Sequence, residues 1–163
     1  MSRIPALGPR GEGWVALQAV LLVAIPVAAW LASMTPLVET PAIALAREIG
    51  AAALLAAVAI IGVSLGYLRG ARALSALPRP LETAELVEAG PYRFVRHPIY
   101  GGLVLAGIAV ALIRASLPVA LLTLALAVVL DVKRRREEAW LVDRYPGYVD
   151  YRARTRALIP FLY

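Results

Sequence analysis

The sequence has no cysteine, so a disulfide framework, a thiolate nucleophile and a cysteine metal site are all excluded. No metal is expected. It has one histidine, His97, and its positive charge is carried almost entirely by arginine instead of lysine, a bias that points to a GC-rich bacterial genome. Acidic residues are the minority, eleven against seventeen basic ones, which leaves a net charge of +6. That balance could suit nucleic acid, but the basic residues sit in clusters beside apolar runs, not along one polar face. Membrane topology is the better reading, and nucleic acid is not an expected partner.

What is present is mostly apolar. Of 163 residues 61% are hydrophobic and the mean hydropathy is +0.73, well above the roughly half expected of a soluble domain. The solvent for much of the chain is therefore expected to be lipid. Four apolar segments stand out. The first, Trp14 to Ser33, is long enough to span a bilayer and ends without a small-residue cleavage site, so it reads as a retained span, kinked at Pro26. The second, Ile49 to Leu68, is uncharged and carries Gly62 and Gly66 in a GxxxG arrangement suited to close approach of another helix. Ile99 to Ile113 and Leu117 to Leu130 are shorter, with Arg114, Ala115 and Ser116 between them. They read as a tight hairpin in which Ser116 caps the returning helix and Pro118 occupies its first turn.

The expected fold is all-α: a polytopic membrane protein of four transmembrane helices, with a C-terminal helical hairpin and a cytoplasmic C-terminal helix. Helix four is expected to run on through Lys133 to Leu141. Residues 1–68 would form an N-terminal two-span segment, and residues 69–163 the loop, hairpin and C-terminal helix of a cofactor-binding catalytic unit. Cytoplasmic loops carry the Lys/Arg excess. Arg3 and Arg10 precede span one, Arg69, Arg72, Arg79, Arg93 and Arg96 separate spans two and three, and eight more basic residues follow span four. Arg47 and Arg114 fall on the other side. Both termini and the central loop are thus expected in the cytoplasm, at a bacterial inner membrane. In that loop Pro78, Pro80 and Gly90-Pro91 mark turns, and Glu82, Glu85 and Glu88 are spaced for a short helix or for a solvated surface.

Two clusters carry candidate chemistry. The stretch from Gly90 to Gly102 holds the histidine, two arginines and two tyrosines at the mouth of a membrane helix. Pro98 at the helix start leaves His97 near the N-cap, and a helix N-terminus suits a carboxylate. Gly101 and Gly102 remove side chains one turn in, so a ligand or a helix can lie against backbone. Plainer readings stand beside these: the arginines set topology, and the glycines serve packing. The second cluster runs from Lys133 through Glu137, Glu138 and Trp140, followed by Tyr145, Tyr148 and Tyr151. Lys133 with Glu137, and Arg134 with Glu138, fall at i,i+4, which on an exposed helix is worth only a few tenths of a kcal/mol. That spacing leaves unexplained why two adjacent carboxylates stand just beyond the membrane.

These residues resemble the isoprenylcysteine carboxyl methyltransferase and phospholipid methyltransferase group of integral membrane enzymes. The likeness rests on an RHPxYxG pattern, here Arg96, His97, Pro98, Tyr100 and Gly102, preceded by Gly90-Pro91-Tyr92. It continues in an EExxL pattern, here Glu137, Glu138 and Leu141, then Tyr145, Tyr148, Tyr151 and Ile159-Pro160. Before Arg69 no family motif stands out, and at Pro146 a proline replaces a glycine often found there. The resemblance implies an S-adenosylmethionine site formed by Tyr92, Arg96, His97, Pro98, Tyr100, Gly101, Gly102, Glu137, Glu138 and Tyr148, with Glu137, Glu138 and Arg96 as catalytic candidates. Its implied acceptor is lipidic or hydrophobic, bearing a carboxylate, amine or thiol, and drawn from the bilayer. The alternatives are an NADPH-dependent membrane reductase of the sterol reductase type and a non-enzymatic membrane scaffold.

Overall fold

The computed structural model describes residues 7–73, 75, 77 and 84–159. Arg3, Pro78, Arg79, Pro80, Glu82 and Pro160 lie outside them. Within the described residues the chain is all-α, with helices α1 (Glu12–Ser33), α2 (Pro41–Gly70), α3 (Pro98–Arg114), α4 (Leu117–Arg144) and α5 (Tyr148–Arg154). A single 3-10 turn, Gly90–Arg93, precedes α3.

Local signals set most helix ends. Thr40 caps α2 by accepting the Ile43 amide at 3.3 Å, and Pro41 takes the first position, where a missing N–H costs nothing. The helix therefore begins eight residues before the expected Ile49. Its extra turns carry Arg47, paired with Glu39 at 2.6 Å, so that charge is satisfied outside the apolar stretch. The hairpin follows expectation: Ala115 turns the chain with φ 46°, and Ser116 accepts the Val119 amide at 3.5 Å. Glu85 and Glu88 do not form the short helix their spacing allowed. Residues 84–88 run without helix, the Glu85 amide bonds to Ala71 O, and Glu88 pairs with Arg154.

The helices form a row in the order α2, α3, α4, α1, while α1 and α2, consecutive in sequence, are not packed together. Trp14, Leu21, Ile25 and Ala29 make one stripe of α1, and they meet Val119, Leu126, Val129 and Leu130 of α4. Large apolar residues also cover the outer faces, among them Val20, Val27, Leu55, Val58, Leu121 and Leu124. Such outer surface is the reverse of a soluble helix and matches lipid. By length and composition α1 and α2 can each cross a bilayer; α3 is a shorter apolar helix.

The Gly62–Gly66 pair does not serve the contact expected of it. Nothing lies within 4 Å of the Cβ positions of either glycine, because α2 meets α3 through another stripe, Gly50, Ala57 and Ser64, repeating every seven residues. Close approach occurs instead at Gly101 and Gly102. A Cβ on Gly101 would sit 2.7 Å from Leu158 O, and one on Gly102 would sit 2.6 Å from Ile61 Cγ1. Since Leu158 presents backbone, Gly101→Ala is expected to cost about 1–3 kcal/mol, read as a lower thermal midpoint in detergent. Gly62→Ala, facing open space inside α2, is the control and should hold or slightly raise the midpoint, since alanine is the better helix former.

Candidate active site

At the α3 end carrying Pro98, three chain segments converge. His97 is the N-cap of α3 (φ −127°, ψ 61°), held out of the helical region by the following Pro98 though short of fully extended. The residues before it pair with the chain after α5: the Arg96 amide donates to Arg156 O at 2.8 Å, the His97 amide to Ala157 O at 3.0 Å, and the Arg156 amide to Phe94 O at 3.0 Å. Side chains secure the same seam. Arg96 Nη1 donates to Thr155 O at 2.6 Å and Arg152 O at 3.2 Å, and Tyr151 Oη donates to Tyr92 O at 2.7 Å. The turn beneath depends on Gly90, whose φ of +59° and lack of a side chain let it lie against the Tyr67 ring of α2.

Successive residues of α4 point about 100° apart, so Glu137 and Glu138 cannot share a role of place. Glu138 turns into the seam and is 3% exposed. Its Oε1 lies 2.9 Å from Arg96 Nε and 3.2 Å from His97 Nε2, while Arg134 and Arg152 each approach to 3.6 Å. Arg134 is buried as well, so this i,i+4 pair is part of a buried cluster, not an exposed helix face. Glu137 turns towards a cavity of about 410 Å³ that it lines with Lys133 and Leu141 of the same stripe. Its Oε2 accepts the Tyr100 hydroxyl at 2.8 Å and lies 3.9 Å from His97 Nδ1. The imidazole thus stands between the two carboxylates, and it stacks on the Tyr100 ring with centroids 5.3 Å apart.

Burial raises the Glu138 carboxyl, but hydrogen bonds and charge from His97 and then Arg96 outweigh it, holding the group down at about 2 against an ordinary 4.5. A depressed folded value means that the carboxylate's contribution is complete above about pH 4.5 and is lost as pH falls towards 2. Wild type is therefore expected to lose on the order of 3 kcal/mol across that window, whereas Glu138→Gln follows a flatter profile there. Thermal unfolding at a series of pH values reads the difference. Burial, aided by Glu137, pushes the Tyr92 phenol well above its usual 10; burial, aided by Glu138, does the same to Tyr148. Both stay protonated hydrogen-bond donors.

Of the expected site residues, Tyr92, Arg96, His97, Tyr100, Glu137 and Tyr148 line the cavity. Pro98 is buried at the helix start, Gly101 and Gly102 face protein, and Glu138 is in the seam. Tyr148 lines the cavity but is 1% exposed, and among the described residues its buried hydroxyl has no hydrogen-bond partner. Among the cavity residues outside the expected set, Gln18 and Lys133 form a polar pair. Gln18 of α1 donates nothing to the motifs yet accepts a hydrogen bond from Lys133 Nζ at 2.6 Å, and Lys133 had been read as one of an exposed pair. Gln18 was visible as a lone amide inside an apolar span, but nothing local tied it to a residue so far along the chain.

A family model described as phospholipid methyltransferase matches residues 48–147. The chain belongs to that family. The match covers most of α2, where no motif was evident, and runs through both clusters to Gly147. The family consists of S-adenosylmethionine-dependent methyltransferases, and membership together with the apolar helices α1 and α2 marks the chain as an integral membrane protein. A 78-residue stretch, 47% of this chain, is also 36% identical to the cobalt-zinc-cadmium resistance protein CzcN of Cupriavidus metallidurans. That stretch covers 36% of CzcN, so the likeness extends over about a third of the relative's length.

Proposed function

We propose that this methyltransferase crosses the membrane four times and transfers a methyl group to a lipidic or hydrophobic acceptor at its cytoplasmic face. The carrying observation is the cavity of about 410 Å³, within the range of small-molecule sites, lined by the Glu137 carboxylate and by Tyr148, whose buried hydroxyl has no hydrogen-bond partner among the described residues. These residues fit S-adenosylmethionine. Glu137 offers an acceptor for its ammonium or ribose hydroxyls, Tyr148 a donor, and the first turn of α3, with Ile99 and Tyr100 on the cavity wall, offers amides suited to its carboxylate. The cofactor supplies an electrophilic methyl group on a sulfonium.

The protein's own part is alignment and exclusion of water. Residues 69–163 supply the polar side chains, while residues 1–68 add the wall formed by Gln18, Leu65 and Leu68. Arg96 and Glu138 act as positioning residues, since their partners among the described residues are each other, His97, Arg134, and Arg152 and Thr155 at the end of α5. Should the acceptor be an amine, Glu137 is the carboxylate placed to take its proton. Arg47 and Arg114 lie at one end of the row and the remaining described basic residues beyond the other, which supports a cytoplasmic site with cytoplasmic termini.

S-adenosylhomocysteine is expected to raise the thermal midpoint of the detergent-purified protein, while NADPH leaves it unchanged. Methyl-labelled S-adenosylmethionine incubated with total membrane lipid should then give an organic-soluble product. No stabilisation and no product would overturn the reading.

A further inference from the structure

Lys133 is the single lysine in a chain with sixteen arginines, and it is 1% exposed. Its Nζ donates to Gln18 Oε1 at 2.6 Å and lies 5.1 Å from the centre of the Tyr100 ring. Both partners are neutral. Arg96 and Arg134, buried nearby, are paired with Glu138 and Asp131, but among the described residues no ion pair is formed to Lys133. Glu137, one turn along on the same stripe, is hydrogen-bonded to the Tyr100 hydroxyl instead. An ammonium taken out of water is costly unless an anion accompanies it. This one borders the cavity.

Its place within the cavity is equally specific. Lys133 stands one helical turn nearer the apolar half of α4 than Glu137, about 6 Å by helix rise. Gln18 of α1 lies beside it, and Leu65 and Leu68 of α2 line the same cavity. Those two helices are not packed together, so the wall here is divided between two lipid-facing elements. The polar groups suited to the cofactor, Glu137 and Tyr148, lie towards the other end. A compact ammonium also fits beside the Tyr100 ring as a point charge, where a guanidinium would demand a planar set of acceptors.

We infer that Lys133 is a specificity-determining residue for the methyl acceptor: it receives an anionic group, carboxylate or phosphate, carried on an alkyl chain that reaches the cavity between α1 and α2. The inference rests on the methyltransferase reading of the same cavity. Gln18 and Tyr100 hold the ammonium in place, so α1 contributes to acceptor choice although the family match begins in α2.

The test uses the full chain in dodecyl maltoside with saturating S-adenosylhomocysteine, titrated separately with oleate, dioleoylphosphatidate and oleyl alcohol. Wild type is expected to bind at least one anionic amphiphile about ten-fold or more tighter than the alcohol, as for a buried charge pair. Preference for oleate identifies a carboxylate, and preference for dioleoylphosphatidate a phosphate. Lys133→Met should erase the preference while S-adenosylhomocysteine affinity stays within about three-fold. Lys133→Gln, which keeps a donor for Gln18, serves if the methionine variant does not fold. Equal binding of alcohol and anions by wild type overturns the inference. So does a variant that keeps the preference, or one that loses S-adenosylhomocysteine instead, since Lys133 would then belong to the cofactor. Wild type that binds the anions but not S-adenosylhomocysteine would remove the methyltransferase reading of this cavity, and with it the acceptor role of Lys133.

Discussion

Glu137→Ala is expected to weaken S-adenosylhomocysteine binding by about 10- to 100-fold, the loss of a hydrogen bond to a charged group worth roughly 1.5–3 kcal/mol. Isothermal titration of the detergent-purified protein measures it. The carboxylate is placed for this by the pitch of α4, which puts Glu137 on the stripe with Lys133 and Leu141, 3.9 Å from His97 Nδ1 and with the Tyr100 hydroxyl as its hydrogen-bond partner. Because that partner is neutral and the side chain is 24% exposed, the ligand-free fold should change little. Glu137→Gln separates charge from geometry: it can still accept from Tyr100 but offers no charge to an ammonium. Unchanged affinity in both variants would take Glu137 out of the site.

The opposite pattern is expected of Arg96→Ala. Here the unliganded protein suffers, on the order of 3 kcal/mol, because truncating one member of a buried ion cluster leaves the Glu138 carboxylate with His97 at 3.2 Å and the more distant Arg134 and Arg152. The Arg96 side chain is 8% exposed, and Glu138, at 4%, depends on it at 2.9 Å. The variant also leaves the carbonyls of Arg152 and Thr155 without their donor, so the seam between residues 94–97 and 156–157 is weakened as a unit. The expected readouts are a lower thermal midpoint and faster proteolysis after α5. Arg96→Lys should rescue little, since a single ammonium cannot reach Glu138 and two carbonyls in the directions a guanidinium fork does. A midpoint within a degree of wild type would show that something other than this cluster holds the C-terminal segment.

Together the two variants divide the adjacent glutamates. Glu137 answers to ligand and Glu138 to fold, although the sequence motif presents them as equals. The difference is rotation about one helix axis. What sets that rotation is the packing of α4 between α3 and α1, through Val119, Leu126 and Leu130, far along the chain from either carboxylate.

Much was legible without coordinates. The hairpin turn at Ala115 and Ser116, His97 at the start of α3, and the run of α4 past its apolar half all follow from capping, proline and hydropathy, which act within a few residues. So did the convergence of the two motifs, because a short hairpin must return its second helix beside its first. The start of α2 was misplaced for the same local reason: hydropathy marks where apolar residues begin, while Thr40 and Pro41 decide where the helix begins.

The sequence by itself therefore determined the class of this protein, its apolar spans, and the two clusters that meet at one end of the hairpin. Tertiary structure alone decided which side chains face the cavity. It turned Gly101 and Gly102 towards protein, left Gly62 and Gly66 facing open space, and joined the lone lysine to an amide 115 residues away. Composition and periodicity report burial and helical phase within an element, but the direction a residue faces depends on neighbours that only packing brings together.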